Sequence, residues 1–187
     1  CRLHQKEGNL EAALHDIQTG LMLGRHVGRS ETMISFLVGT AISAIMYAID
    51  NGADVVNCSF ISTSSSMFSN VFDAAREKNA VIVAAAGNNR KDLDSYYLFP
   101  VVLDDDAMIG VGASDSADAL GASNYSATDI DVFAPGSATS YSTPLVTSTV
   151  ALLRSIKPDA TYNQIRQAII AGADPSAALA GLCVSGG

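Results

Sequence analysis

Two polar residues at the ends of apolar runs are where this sequence could do chemistry. Ser140 stands in Ala138-Thr-Ser-Tyr-Ser-Thr-Pro144, shortly after Asp131-Val-Phe-Ala-Pro-Gly136. Proline is favoured in the first turn of a helix, where its missing N–H costs nothing. Pro144 in that role puts Ser140 just before a helix start, near unpaired N–H groups and the positive end of the helix dipole. A hydroxyl so placed suits a nucleophile whose attack creates an oxyanion close by. Read locally, the residue is more simply an N-cap or loop serine. Asn88 closes the run Val81-Ile-Val-Ala-Ala-Ala-Gly-Asn-Asn89, and Gly87-Asn88-Asn89 reads locally as a turn at a strand end.

A serine nucleophile needs a base to take its proton, and in the triad arrangement that base is a histidine oriented by an aspartate. The chain has three histidines, His4, His15 and His26. None stands in a motif that marks a base, and Arg25-His26-Val27-Gly28 reads as a loop near a strand end.

The elements that must position these residues are an alternation of strands and helices. Four runs rich in Val, Ile and Ala read as buried strands: Ala53–Phe60, Ala80–Ala86, Ala107–Gly112 and Ile130–Ala134. Their weak alternation predicts that both faces are covered, as in a parallel sheet flanked by helices. Helical spacing of apolar residues predicts helices over Met33–Asp50 and Met67–Lys78. Strand 53–60, helix 67–78 and strand 80–86 then form a right-handed βαβ unit. A third helix is expected from Pro144 to Ile156, ended by Pro158. A fourth is capped by Thr161, with Gln164 three residues on, and reaches about Ala171. Leu10–Leu23 has a mixed pattern, and residues 1–30 stay unassigned within a single expected domain. The fold class is α/β with a mostly parallel sheet.

Composition narrows the function. The 187 residues are 48% hydrophobic and 16% charged, which is globular rather than disordered. A net charge of −8 leaves no basic face for a phosphate backbone, so no nucleic-acid partner is expected. The apolar runs fall short of the about 20 residues that span a bilayer. Three cysteines, Cys1, Cys58 and Cys183, have neither disulfide-framework nor zinc spacing, and Cys58 reads as a small core residue.

Taken in order, the segments carry a resemblance. Tyr47-Ala-Ile-Asp-Asn-Gly-Ala-Asp-Val-Val-Asn-Cys-Ser-Phe60, Val81–Asn89, Met108-Ile-Gly-Val-Gly-Ala113, Ala122-Ser-Asn-Tyr-Ser126 and Asp131–Pro144 resemble, piece by piece, the back two-thirds of a subtilisin-like serine peptidase domain over residues 36–170. The resemblance implies that Ser140 is the nucleophile of peptide-bond hydrolysis and that Asn88, rather than Asn89, is the side-chain donor of the oxyanion hole. It implies that an extended peptide adds along Ser59-Phe60-Ile61. Ala85, Ala86 and Gly87 then help wall the pocket for the residue before the scissile bond. Calcium and a secreted setting are common in the family, but no ligand set is assigned. Asp104-Asp105-Asp106 is an acidic run that could bind a cation, and reads more simply as a solvated loop.

The sequence also departs from the family. The Asp-Thr/Ser-Gly and His-Gly-Thr-His segments that supply the acid and base are not in it. Cys1–Gln5 is expected to correspond to the strand after the histidine-bearing helix. Leu179–Gly187 resembles a late family stretch cut before its final helix. Phe60-Ile61-Ser62-Thr63 stands where the family has glycines that let substrate backbone approach, and Leu145 replaces the family's histidine after the proline. Ala138 replaces the glycine before Thr-Ser, with strain expected if that position needs φ > 0. Only three residues separate Gly136 from Ser140, where the family has a longer loop. Two expectations follow: a peptidase fragment inactive without its base, or a pseudopeptidase acting as a peptide-binding or assembly module.

Overall fold

The computed structural model describes the backbone of residues 31–66 and 68–187, and the side chains of those from 39 onward. The expected strand at Cys1–Gln5, the helix reading of Leu10–Leu23 and the three histidines lie outside the described residues. Ile42–Gly187 forms one compact unit, and apart from the first turns of the helix that enters it everything below lies there.

The order is α1 (Glu31–Asp50), β1 (Val55–Cys58), α2 (Ser69–Glu77), β2 (Val81–Ala85), β3 (Met108–Ser114), β4 (Val132–Pro135), α3 (Thr139–Ile156) and α4 (Tyr162–Gly172). The four strands pair in sequence order, β1-β2-β3-β4, and every pair is parallel. Val55 pairs with Val81, Ile82 with Met108 and Val111 with Val132. All residues of β2 and β3 are buried, as a sheet covered on both faces demands. Successive side chains of β2 go to opposite layers. Ile82 and Ala84 join Ile45, Ile49, Phe68, Val71 and Phe72, whereas Val81 and Val83 join Val146, Val150, Ile165 and Ile169 of α3 and α4.

The expected βαβ unit is present, and the capping box at Thr161 and Gln164 closes the start of α4. Cys58 is a core residue. Helix α3 begins earlier than expected, at Thr139, with Ala138 as its N-cap and Pro144 inside it. Ala138 has φ −157, an extended backbone open to any residue, so the strain expected there does not arise. The acidic run is a loop with Asp104 and Asp106 exposed, as the simpler reading has it, and its carboxylates face arginines. Asp104 and Asp106 pair with Arg166 at 3.2 and 3.5 Å, and Asp105 pairs with Arg76. No helix among the described residues is long and apolar enough to cross a membrane.

Candidate active site

In a parallel sheet all strands end on the same side, so the segments leaving β1, β2 and β4 meet there. They deliver Ser59, Asn88 and the start of α3. Ser140 occupies the first turn of that helix, and its exposed hydroxyl donates to the Ser59 carbonyl at 3.5 Å. Pro144 has no N–H to return to the carbonyl four residues back. That carbonyl belongs to Ser140, and the Ser59 hydroxyl donates to it at 3.4 Å. A proline inside the helix thus frees the acceptor that joins the helix start to the end of β1.

The helix start also lacks a capping side chain of its own, because Ala138 has none to offer. Asn88 fills the role from another element. Its Oδ1 accepts from the Thr139 N–H at 2.8 Å and the Thr139 hydroxyl at 3.0 Å. With the oxygen held, the amide of Asn88 has its NH2 end left for a ligand. Of the next first-turn donors, Tyr141 and Ser142 both give their N–H to the Ala138 carbonyl. Among the described residues no acceptor takes the Ser140 N–H. Among the described residues, two donors close to one hydroxyl, the Asn88 NH2 and the Ser140 N–H, therefore have no acceptor. That pairing is what stabilising an oxyanion requires.

The loop presenting Asn88 is clamped by a residue that the sequence did not single out. Asn124, fully buried, donates its amide to the Ala86 carbonyl at 2.8 Å. Its Oδ1 accepts from the N–H of Asn89 at 3.0 Å and of Lys91 at 2.9 Å. Its own N–H donates to Gly87 O. The competing candidate Asn89 thus contributes its backbone to the clamp. The only signal for Asn124 was its place in Ala122–Ser126, where nothing local reveals a partner 38 residues away.

The remaining expected residues fall as follows. Ala85 and Ala86 are buried at the end of β2, and Gly87 follows with φ +87, a left-handed conformation that only glycine adopts freely. Phe60 turns toward the core and stacks on Phe68, ring centroids 6.4 Å apart. Gly136, just before the helix, is equally constrained: a Cβ there would overlap the Ser142 hydroxyl and lie 3.1 Å from Ala138 O. The short link to Ser140 works because the chain is bare at that point. Leu145 is half exposed on α3.

Farther from the hydroxyl, the buried Asp131 holds β4 to α4 through Arg166 Nη2 at 2.9 Å and to β3 through the Gly110 N–H at 2.8 Å. Burial pushes its carboxyl above the usual range, against the pull of that guanidinium. Among the described residues no three His, Cys, Asp or Glu side chains are gathered to hold a metal ion.

Comparison with known proteins is consistent with this geometry. The subtilase family profile, Peptidase_S8, matches residues 35–183. The chain belongs to the subtilase family. Among curated subtilases it is 35% identical over 147 residues to the "Thermophilic serine proteinase" of Bacillus sp. (strain AK1), covering 70% of this chain and 35% of that protein. It is 31% identical over 142 residues to "Subtilisin" of Bacillus pumilus, covering 67% and 51%. The chain thus spans about a third to a half of the curated relatives it matches. A cold-adapted subtilisin-like serine proteinase superposes with a TM-score of 0.60 and 25% identity, over 67% of this chain and 51% of that one. The prenylagaramide maturation protease PagA gives 0.63 at 23% identity, over 73% and 57%, a likeness of fold.

Proposed function

We propose that this chain carries the nucleophile half of a serine endopeptidase site acting on polypeptides. The Ser140 Oγ adds to the peptide carbonyl carbon while its proton passes to a base and from there to the leaving amine. The C–N bond breaks, and water then hydrolyses the ester on Ser140. The developing oxyanion is received by the Asn88 amide and the Ser140 N–H. The observation that carries this reading is that, among the described residues, these two donors have no acceptor near the Ser140 hydroxyl, the Asn88 oxygen being held by Thr139.

The sequence contains neither the family's histidine nor its aspartate motif, so the chain by itself is expected not to turn over peptides. The test is labelling with a fluorophosphonate, read by intact mass. The expected result is no adduct on the chain alone at neutral pH, because nothing activates the hydroxyl. Labelling that disappears in Ser140→Ala would overturn the inactivity and reveal an unrecognised base. A peptide boronate should still form a tetrahedral adduct at equilibrium, since the Ser140 proton can pass to the buffer. Its loss in Ser140→Ala, and its weakening in Asn88→Ala, separate a preserved site from a pseudopeptidase that binds peptides elsewhere.

A further inference from the structure

A peptide lying along Ser59–Ile61 with its carbonyl at Ser140 sends the side chain before the scissile bond between two walls. One wall is Ser59–Ile61, the other Ala84–Gly87. The space between them is decided by what stands against Gly87, which has no side chain to fill it. A Cβ built on Gly87 would lie 3.4 Å from Ile61 Cγ2 and 3.3 Å from Leu98 Cδ1. It would lie 2.8 Å from Asn124 Nδ2, the atom already bonded to Ala86 O. Carbon atoms pack at about 3.5–4.0 Å, so Ile61 and Leu98 already sit against the glycine face. A side chain larger than a methyl group between these walls would need a second such spacing, which Ile61 and Leu98 occupy.

The plug is fixed in place. Ser62 and Phe99 exchange two backbone hydrogen bonds, each 2.8 Å. This antiparallel bridge holds Ile61 and Leu98, the residues preceding each partner, in the same cleft. Leu98 is 2% exposed and belongs to the main apolar cluster, against which Ile61 also packs. Moving either to admit a large side chain would open that cluster.

Resting on the peptidase reading above, we propose that Ile61 and Leu98 close the pocket before the scissile bond, so that the site accepts only glycine or alanine there. Ile61 is the specificity-determining residue, because it forms the wall facing Gly87 and is only half-buried.

The experiment uses the full chain and two probes, acetyl-Ala-Ala-Pro peptides ending in boroalanine or borophenylalanine. Dissociation constants come from calorimetry, and ¹¹B NMR reports tetrahedral boron on Ser140. The expected result is boroalanine binding at least about tenfold tighter than borophenylalanine, the size of a small steric difference in an apolar pocket. In Ile61→Gly, borophenylalanine should tighten by about tenfold or more relative to boroalanine. Ile61→Ala, a milder truncation, should move it part of the way. Equal or tighter binding of borophenylalanine by the unsubstituted chain would overturn the proposal, as would an unchanged preference in both folded variants. Binding of neither boronate by any of the three proteins would instead overturn the nucleophile reading, and this inference with it.

Discussion

Replacing Asn124 by alanine tests whether the loop carrying Asn88 is held as described. The substitution deletes three side-chain hydrogen bonds, to Ala86 O and from the N–H groups of Asn89 and Lys91. Ala86 is fully buried, so its carbonyl is left without a partner, at a cost of about 1–3 kcal/mol. Asn89 and Lys91 are exposed, and their N–H groups can turn to water. Each lost bond there is worth only about 0.5–1.5 kcal/mol. The total of about 2–6 kcal/mol is a large part of the about 5–15 kcal/mol typical of a domain. In equilibrium urea unfolding followed by circular dichroism, that lowers the midpoint by about 1–3 M at an m-value of about 2 kcal/mol/M. Amide exchange at Asn89 and Lys91 should accelerate together. Asn124→Asp keeps the acceptor for both N–H groups but loses the donor to Ala86 O, so it should leave those two amides protected. A midpoint loss under about 0.5 M for the alanine variant, with exchange at both amides unchanged, would refute the clamp.

Two further outcomes are expected. Burial pushes the Cys58 thiol up to about 12. The native chain should therefore resist iodoacetamide at Cys58 at pH 8.5, read by peptide mass spectrometry, and react once unfolded. A raised thiol value means that the neutral form is favoured in the fold. The stability it contributes is complete below the unfolded value of about 8.5 and is lost as pH rises toward 12; alkaline unfolding of Cys58→Ala should lack that component. Gly136→Ala places a methyl group against the Ser142 hydroxyl and the helix start, which should destabilise by about 1–3 kcal/mol. It should also weaken boronate binding, as seen in the thermal midpoint and in calorimetry.

Much of this architecture was legible in the sequence because its signals are local. The Val-Ile-Val run of β2 is apolar on both faces, and Thr161 with Gln164 satisfy each other within one turn. Ser140 and Asn88 were legible through the order of motifs around them. What escaped depends on partners far along the chain. Pro144 was expected to open helix α3. It lies instead inside the helix, because the Ser140 carbonyl it leaves unbonded meets the Ser59 hydroxyl, 81 residues away in sequence. The acidic run at Asp104–Asp106 is the exposed loop that it reads as, but nothing near it reveals its partners Arg76 and Arg166, 29 and about 60 residues distant. Asn124 gave no periodicity at all, and its role exists only once the β2 loop folds over it.

The contact between Ser59 and Ser140 closes 81 residues of chain, and that between Asn88 and Thr139 closes 51. Bringing together ends so far apart costs an unfolded chain about 4 kcal/mol of entropy for the longer loop. A pair of long hydrogen bonds at about 1 kcal/mol each cannot offset this. The constellation is thus a late product of sheet assembly, formed only when β1, β2 and the helix after β4 are already docked. Folding intermediates should hold no trace of it, and competence to capture a boronate should appear in the slowest phase of refolding, in step with the last buried residues.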